Sequence, residues 1–377
     1  MKLLSLLQGG KVEDQIGYHR ACEQLCSEGF LETYRAIPFL GRHTSAAWAT
    51  LCRETLSTAA EIQADAVFFQ FFHDHRMPCP DDLVAALRAL PAKPALFTSA
   101  GDSFGLFTRS FPSAFRSVSR AADVTFLTGM GYMADSLVNS GSRNIVLMPN
   151  GFCQTRFAAG VPVNQPEFDV VFVGSNSKAR NPFSYIRRLQ RERYRQITLL
   201  QLHYGSRFAL YGRGWEGFKS WQGPIPYAEQ QTKSQQGRVI VGGYPGGLMD
   251  YYTSDRVLIA IASGVPFVDY WTPRVDTLFR QGEHWHLYRN EQEMLATIDR
   301  LLAMTDQDRR QLGVVTAEYA GRKHQQYHRM KNMLAIVRDQ RAARHRGVHP
   351  ALPGLEYFLP EVDVTAEMSF AVRAWNG

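Results

Sequence analysis

Apolar runs of strand length recur along most of this chain, each followed by a segment with helical spacing, and this alternation limits the possible folds more than any other feature. LLSLL (3–7), LETYRAIPF (31–39), DAVFFQFF (65–72), PALFTS (94–99), DVTFLT (123–128) and NIVLMPNG (144–151) read as strands. The stretches 13–28, 44–63, 80–90, 111–121 and 131–141 read as the helices between them. Proline near the start of 80–90 and glycine at the end of 131–141 mark helix boundaries. A strand that is apolar at every position must be covered on both faces, which is the situation of a parallel sheet between helices. The expected class is therefore α/β with parallel, Rossmann-like sheets.

The pattern breaks at QTRFAAGVPVNQPEF (154–168), which is rich in Gly and Pro, and then restarts. DVVFVGSN (169–176), RFALYGRG (207–214) and RVIVGG (238–243) read as strands, with a basic helix at 182–200 and another helix at 292–303. A long helical stretch is expected near 306–345, followed by a proline-containing tail to Gly377. A chain of 377 residues exceeds the size at which one core usually keeps growing, so two domains are expected. The divisions are 1–155, a linker at 156–168, 169–330, and a C-terminal segment at 331–377.

The segment YTSDRVLIAIASGVPFVD (252–269) carries the most chemical information. Thr253, Ser254 and Asp255 precede an apolar helix that stops at Ser263-Gly264, and Val265–Val268 follow as a buried strand. A helix N-terminus aimed at the carboxyl edge of a parallel sheet is a ready phosphate site. Three further motifs surround it in order. GSN (174–176) follows a strand, with Lys178 and Arg180 close behind. Tyr211-Gly212-Arg213-Gly214-Trp215 follows another strand, and RVDTLFRQGEHWHLYRN (274–290) leads into EQEMLATIDRLL. Glycine permits close backbone approach, while hydroxyl, amide and guanidinium groups can meet phosphate oxygens.

This ordered series resembles the donor domain of glycosyltransferases with the two-Rossmann GT-B fold, in particular the spore-maturation-protein-like and group 1 enzymes. The resemblance spans residues 169–303, and the first half of the chain fits only by architecture. It implies two Rossmann-like domains facing across a cleft, with the C-terminal helix crossing back to the first domain. It implies transfer of a sugar from a nucleotide-sugar to an acceptor hydroxyl, with the nucleotide-sugar as co-substrate, no separate cofactor and no metal. Carried over by position, Gly174, Ser175, Asn176 and Arg180 face the diphosphate. Tyr211, Gly212, Arg213 and Trp215 lie near the nucleotide. Thr253, Ser254, Asp255 and Arg256 bind diphosphate or ribose at the helix start. The chain departs from the family pattern where relatives carry a pair of glutamates: Tyr251 and Ile259 stand there. That departure removes the signature of a retaining mechanism and the usual carboxylate contact to ribose.

For an inverting enzyme the resemblance puts the catalytic base on a first-domain loop after a strand, where it takes the acceptor proton. Asp14, in GGKVEDQ with Gly9 and Gly10 allowing close approach, is the first candidate. Asp74, between His73 and His75, and Asp102, in SAGDSF, are the others. Each of the three also reads as a helix cap or turn residue. His73 and His75 have no third ligand at metal-site spacing, and the five cysteines are scattered and odd in number, which fits reduced thiols.

No apolar window reaches the length of a membrane span and the N-terminus lacks a cleavage site, so a cytoplasmic location is expected. The net charge of +7 is concentrated at 178–195 and 322–346. Such segments suit anionic headgroups, nucleic acid or a phosphorylated donor, and equally a solvated helix face. The acceptor therefore divides into a surface glycan or lipid-linked glycan reached at an anionic membrane, and DNA, as in phage-type glucosyltransferases. A non-catalytic nucleotide-sugar-binding module and a sugar-nucleotide epimerase are the readings from other classes.

Overall fold

A computed structural model describes residues 1–72, 74–104, 109–160, 165–176, 183–243 and 249–348. The chain forms two compact units. Among the described residues the first comprises Met1–Pro149 together with 326–348, and the second Asn150–Gln325.

The first unit is built on six parallel strands: β1 (Lys2–Leu7), β2 (Thr33–Pro38), β3 (Ala66–Gln70), β4 (Ala95–Ala100), β5 (Val124–Leu127) and β6 (Ile145–Leu147). They lie in the order β2-β1-β3-β4-β5-β6, so the winding reverses between β1 and β3. Helices α1 (Ile16–Ser27), α2 (Ser45–Glu61), α3 (Asp81–Ala89), α4 (Ser113–Ala121) and α5 (Tyr132–Val138) connect them. All five residues of β3 are buried, as a central strand covered on both faces requires. Phe68 and Phe97 stack across β3 and β4 with ring centroids 4.7 Å apart.

The second unit repeats the plan with β7 (Phe168–Val173), β8 (Phe208–Tyr211), β9 (Trp221–Gly223), β10 (Gly237–Val241), β11 (Phe267–Tyr270) and β12 (His286–Tyr288). All pairs are parallel and the order is β12-β11-β10-β7-β8-β9. This is the dinucleotide-fold order, with its reversal between β7 and β10. Its helices are α6 (Tyr185–Tyr204), α7 (Gln230–Ser234), α8 (Asp255–Ala262), α9 (Glu291–Leu302) and α10 (Asp306–Lys323). Every residue of α8 from Val257 to Ala262 is buried, so this short helix is a core element and not an amphipathic cover.

The helical stretch 306–345 is divided into two helices. α10 ends at Lys323 and α11 (Gln326–His345) begins three residues later. The interruption falls where the chain passes from the second unit to the first. There the buried His324 ring stacks on Phe279 at 4.3 Å, and its carbonyl accepts the Phe152 amide at 2.9 Å. The units divide after Pro149, earlier than the sequence boundary at 155. Asn150 donates to the Thr253 carbonyl at 2.9 Å, and with the Phe152 bond this holds the start of the connecting segment in the second unit.

Much of the basic segment 322–346 is engaged within the first unit. Arg344 pairs with Asp123 at 2.8 Å, Arg341 with Asp65 at 2.9 Å and Lys331 with Glu28 at 3.2 Å. The buried Arg329 donates to the Pro149 carbonyl at 2.7 Å. No helix among the described residues is long and apolar enough to cross a membrane.

Candidate nucleotide pocket in the second unit

The reversal between β7 and β10 leaves the carboxyl ends of these strands without a crossing connection, and a recess of about 470 Å³ lies beside it. Val173 at the end of β7 with Gly174 and Ser175 after it, Gly212 and Arg213 after β8, and Asp255 and Arg256 at the start of α8 form much of its wall. Four of the sequence motif positions are held together by backbone contacts. The Gly174 amide donates to the Tyr211 carbonyl at 2.9 Å and the Asn176 amide to the Arg213 carbonyl at 2.8 Å. Gly212, at φ +129°, lies so close to the Gly174 carbonyl that a Cβ there would collide with it. A Cβ on Gly174 would strike the Arg256 guanidinium.

Three guanidiniums line the recess: Arg213, Arg256 and Arg193 of α6. Arg193 donates to the Ser175 carbonyl at 3.3 Å. The first two residues of α8 line the same recess, and Asp255 is the carboxylate in the wall. That carboxylate accepts the Arg256 amide at 2.8 Å and the Tyr227 hydroxyl at 3.2 Å. Behind the arginines lies Asp269, at the end of β11 and 5% exposed. Burial pushes its carboxyl up to about 7, against the pull of the Tyr270 amide, Arg256 and Arg193.

Of the sequence-nominated donor residues, Gly174, Ser175, Gly212, Arg213, Asp255 and Arg256 line the recess. Asn176, Tyr211, Trp215, Thr253 and Ser254 stand beside it without lining it. Trp215, expected near the nucleotide, is instead buried, and its indole nitrogen donates to the Gly174 carbonyl at 2.6 Å. Tyr211 is buried with its hydroxyl donating to Gln236 at 2.6 Å. Both therefore brace the glycine loops from behind. Ser254 occupies the α8 N-cap without a side-chain capping bond, and Thr253 is buried. Arg180 lies outside the described residues, as does His73. Gly9 and Gly10 belong to the first unit.

Sequence reasoning passed over Arg193, Ile225, Tyr227 and Gln230, all of which line the recess. Arg193 sits in the basic segment, but only its place on α6 distinguishes it from its neighbours. The unusual positions are also explained. Ile259 is core packing in α8. Tyr251 is buried at φ +63°, an uncommon conformation for a bulky residue, and pairs with Arg274, itself at φ +62°, at 3.0 Å.

In the first unit Asp14, Asp74 and Asp102 follow β1, β3 and β4, three adjacent strands, at their carboxyl ends. Asp14 closes its own turn, with Oδ2 accepting the amides of Gly10 at 2.8 Å and Lys11 at 3.2 Å. Asp74 is clamped by Arg76 through contacts of 3.0 and 2.8 Å, and these bonds hold its carboxyl at about 2. Asp102 pairs with Arg109 at 2.5 Å. Beside Asp14, at the β1–β3 reversal, three glutamines form a ring that the sequence did not reveal. Gln70 accepts the Gln8 amide at 2.8 Å and donates to Gln15 at 2.9 Å, and Gln15 donates to the Gln8 carbonyl at 2.8 Å. No cluster of three His, Cys, Asp or Glu side chains suited to a metal occurs among the described residues.

Residues 180–335 match a family described as glycosyl transferase-like. Among solved structures, sucrose-phosphate synthase from Thermosynechococcus elongatus aligns over 91% of this chain and 100% of its own, at 12% identity and a TM-score of 0.58. Anabaena HepE in complex with UDP aligns over 90% and 100%, at 12% identity and a TM-score of 0.56. The N-terminal domain of Candida albicans trehalose-6-phosphate phosphatase aligns over 90% and 97%, at 8% identity and 0.54. A search of curated proteins finds no match. The fold is thus that of the two-Rossmann glycosyltransferase structures, and the second unit resembles glycosyltransferases in sequence.

Proposed function

From a glycosyl transferase-like second unit on this fold, we propose that the chain is a glycosyltransferase that holds a nucleoside diphosphate sugar in the β7–β10 recess and passes the sugar to an acceptor hydroxyl. The observation that carries the proposal is the convergence of Arg193, Arg213, Arg256 and the α8 N-terminus on one recess at a strand-order reversal. That arrangement meets a diphosphate, and it opposes the charge that builds on the diphosphate as the sugar departs. HepE has been solved with UDP and with UDP-glucose, which supports a uridine nucleotide as donor. The guanidiniums supply countercharge that a divalent cation would otherwise bring, so turnover is expected to persist in excess chelator.

Asp14 is the preferred base. Asp74 is a weak one, because Arg76 holds its carboxyl far below neutrality. We assign the acceptor to surface glycans or lipid-linked glycans. The arginines of α11 that pair within the first unit are not offered to a DNA backbone, which weakens the nucleic-acid alternative. A non-catalytic nucleotide-sugar-binding role is favoured by one observation only: the paired-glutamate positions hold the core residue Ile259 and the Arg274-bound Tyr251.

Release of UDP from UDP-glucose, with and without acceptor glycans, separates these readings. Acceptor-dependent UDP release that falls in Asp14→Asn at unchanged UDP affinity supports the transferase. Tight UDP-glucose binding with no turnover on any acceptor supports the binding module and overturns the transferase.

A further inference from the structure

Beneath the cationic wall of the β7–β10 recess lies a buried carboxyl that sugar transfer does not by itself require. Asp269 of β11 is 5% exposed and rests against Gly242, where a Cβ would strike its Oδ1. Gly242 is pinned from three sides. Its amide donates to the Val268 carbonyl at 2.7 Å, and its carbonyl accepts the Gln196 side-chain amide at 2.7 Å and the Tyr288 hydroxyl at 3.3 Å. The next residue, Gly243, passes so near Arg193 that a Cβ there would stand 3.4 Å from Nε. A two-glycine ledge after β10 thus seats the Asp269 carboxyl on one residue and the Arg193 guanidinium on the next.

The charged groups that act on this carboxyl are Arg256 from α8 and Arg193 from α6, and the Tyr270 amide donates to it from its own strand. β12 presents the Tyr288 hydroxyl, which burial holds well above the ordinary tyrosine range and keeps neutral. Burial pushes the Asp269 carboxyl up to about 7, so near neutrality it is the member of this group that changes charge.

The charges of the recess give that change a consequence. Arg193, Arg213 and Arg256 share the wall with one carboxylate, Asp255, which leaves two positive charges. A nucleoside diphosphate sugar carries two negative ones. An ionised Asp269 below the wall offsets one of the two positive charges, and a protonated Asp269 offsets neither. A dianion entering the recess therefore raises the proton affinity of Asp269. By linkage, a proton on Asp269 raises the affinity for the dianion by the same factor.

We propose that Asp269 couples donor binding to a proton: a nucleoside diphosphate sugar binds with this carboxyl protonated, and in the empty recess above neutral pH the carboxylate is the counter-ion of Arg193 and Arg256. The proton comes from solvent and returns to it when the nucleotide leaves, and no bond of the donor changes. Asp269 does not line the recess, so it is a positioning residue that acts through the two arginines. The proposal rests on the donor reading of this recess.

Calorimetric titration of the full chain with UDP-glucose, in buffers of different ionisation enthalpy between pH 6 and pH 8, tests it. UDP-glucose has no group that titrates in this range, so any buffer-dependent heat reports protons taken up by the protein. Uptake of about half a proton or more per donor is expected at pH 8, falling below about a fifth at pH 6. Affinity is expected to fall by about fivefold or more from pH 6 to pH 8. Folded Asp269→Asn, which cannot change charge, is expected to show no uptake and an affinity that stays level across the range. The wild-type titration decides the matter even where that variant does not fold. Saturable binding without proton uptake at pH 8 overturns the proposal and leaves the donor reading standing, as does uptake that persists in folded Asp269→Asn. Absence of UDP-glucose binding at every pH removes the donor reading and the proposal with it.

Discussion

Arg256 and Asp269 show how single side chains divide the work in the β7–β10 recess. Arg256 lines the space a diphosphate would fill, and its guanidinium packs against Gly174, where a Cβ would displace it. Arg256→Ala and Arg193→Ala are each expected to weaken UDP binding by about ten- to a hundredfold, the usual worth of a hydrogen bond to a charged group. Calorimetry checks the affinity, and an unchanged unfolding midpoint without ligand confirms that the fold is intact. Asp269 makes a pH prediction. Its folded pKa, pushed up to about 7 by burial, lies above that of an unfolded aspartate near 4. The folded state therefore holds the proton more tightly, and this contribution to stability is complete below about pH 4 and is lost as pH rises toward 7. Wild type is expected to lose more thermal stability than Asp269→Asn between pH 5 and 8, measured by scanning fluorimetry. Parallel profiles for the two proteins would contradict the assignment.

Among the elements, α8 and α10 show what patterning conveys and what it omits. The apolar run from Val257 and the Ser263-Gly264 stop were enough to predict α8 and its neighbouring strand. The run, apolar on every face, also implied that α8 would be covered all round, but not by what. The cover comes partly from α10, where Gly313 approaches the Gly264 carbonyl so closely that a Cβ would overlap it. Gly313→Ala is expected to destabilise the protein by about 1–3 kcal/mol through this overpacking, despite alanine's better helix propensity. Urea denaturation measures it, and a stabilised variant would refute the contact. Strands β9 and β12, at three residues each, were too short for any periodicity to register. The α10–α11 break was not legible because no Pro marks it and the nearest glycine, Gly321, lies inside α10. It is set by the passage between units and the packing of His324 on Phe279. The glycine loops of the site were legible because close approach demands glycine. Arg193, Tyr227 and the glutamine ring were not, because their roles arise from distant segments meeting at a sheet edge.

For the chain taken together, two parallel sheets were readable from continuous apolar strands, since such strands have few other ways to bury both faces. The two strand orders were not, because crossover direction leaves no mark on local composition. Those orders matter: each has one reversal, and the recess lies beside the second. A ligand bound only by the folded protein raises its stability by mass action, by about 2.7 kcal/mol at a hundred times its Kd. UDP is accordingly expected to raise the unfolding temperature of wild type at concentrations that leave Arg256→Ala unmoved. The most direct test is a calorimetric titration of wild type and the Arg193→Ala, Arg256→Ala double variant with UDP, GDP and dTDP. Saturable one-to-one binding of UDP by wild type, abolished in the folded double variant, is the predicted result. Binding of none of these nucleotides by wild type, or equal binding by the double variant, would contradict the placement of the donor in the β7–β10 recess.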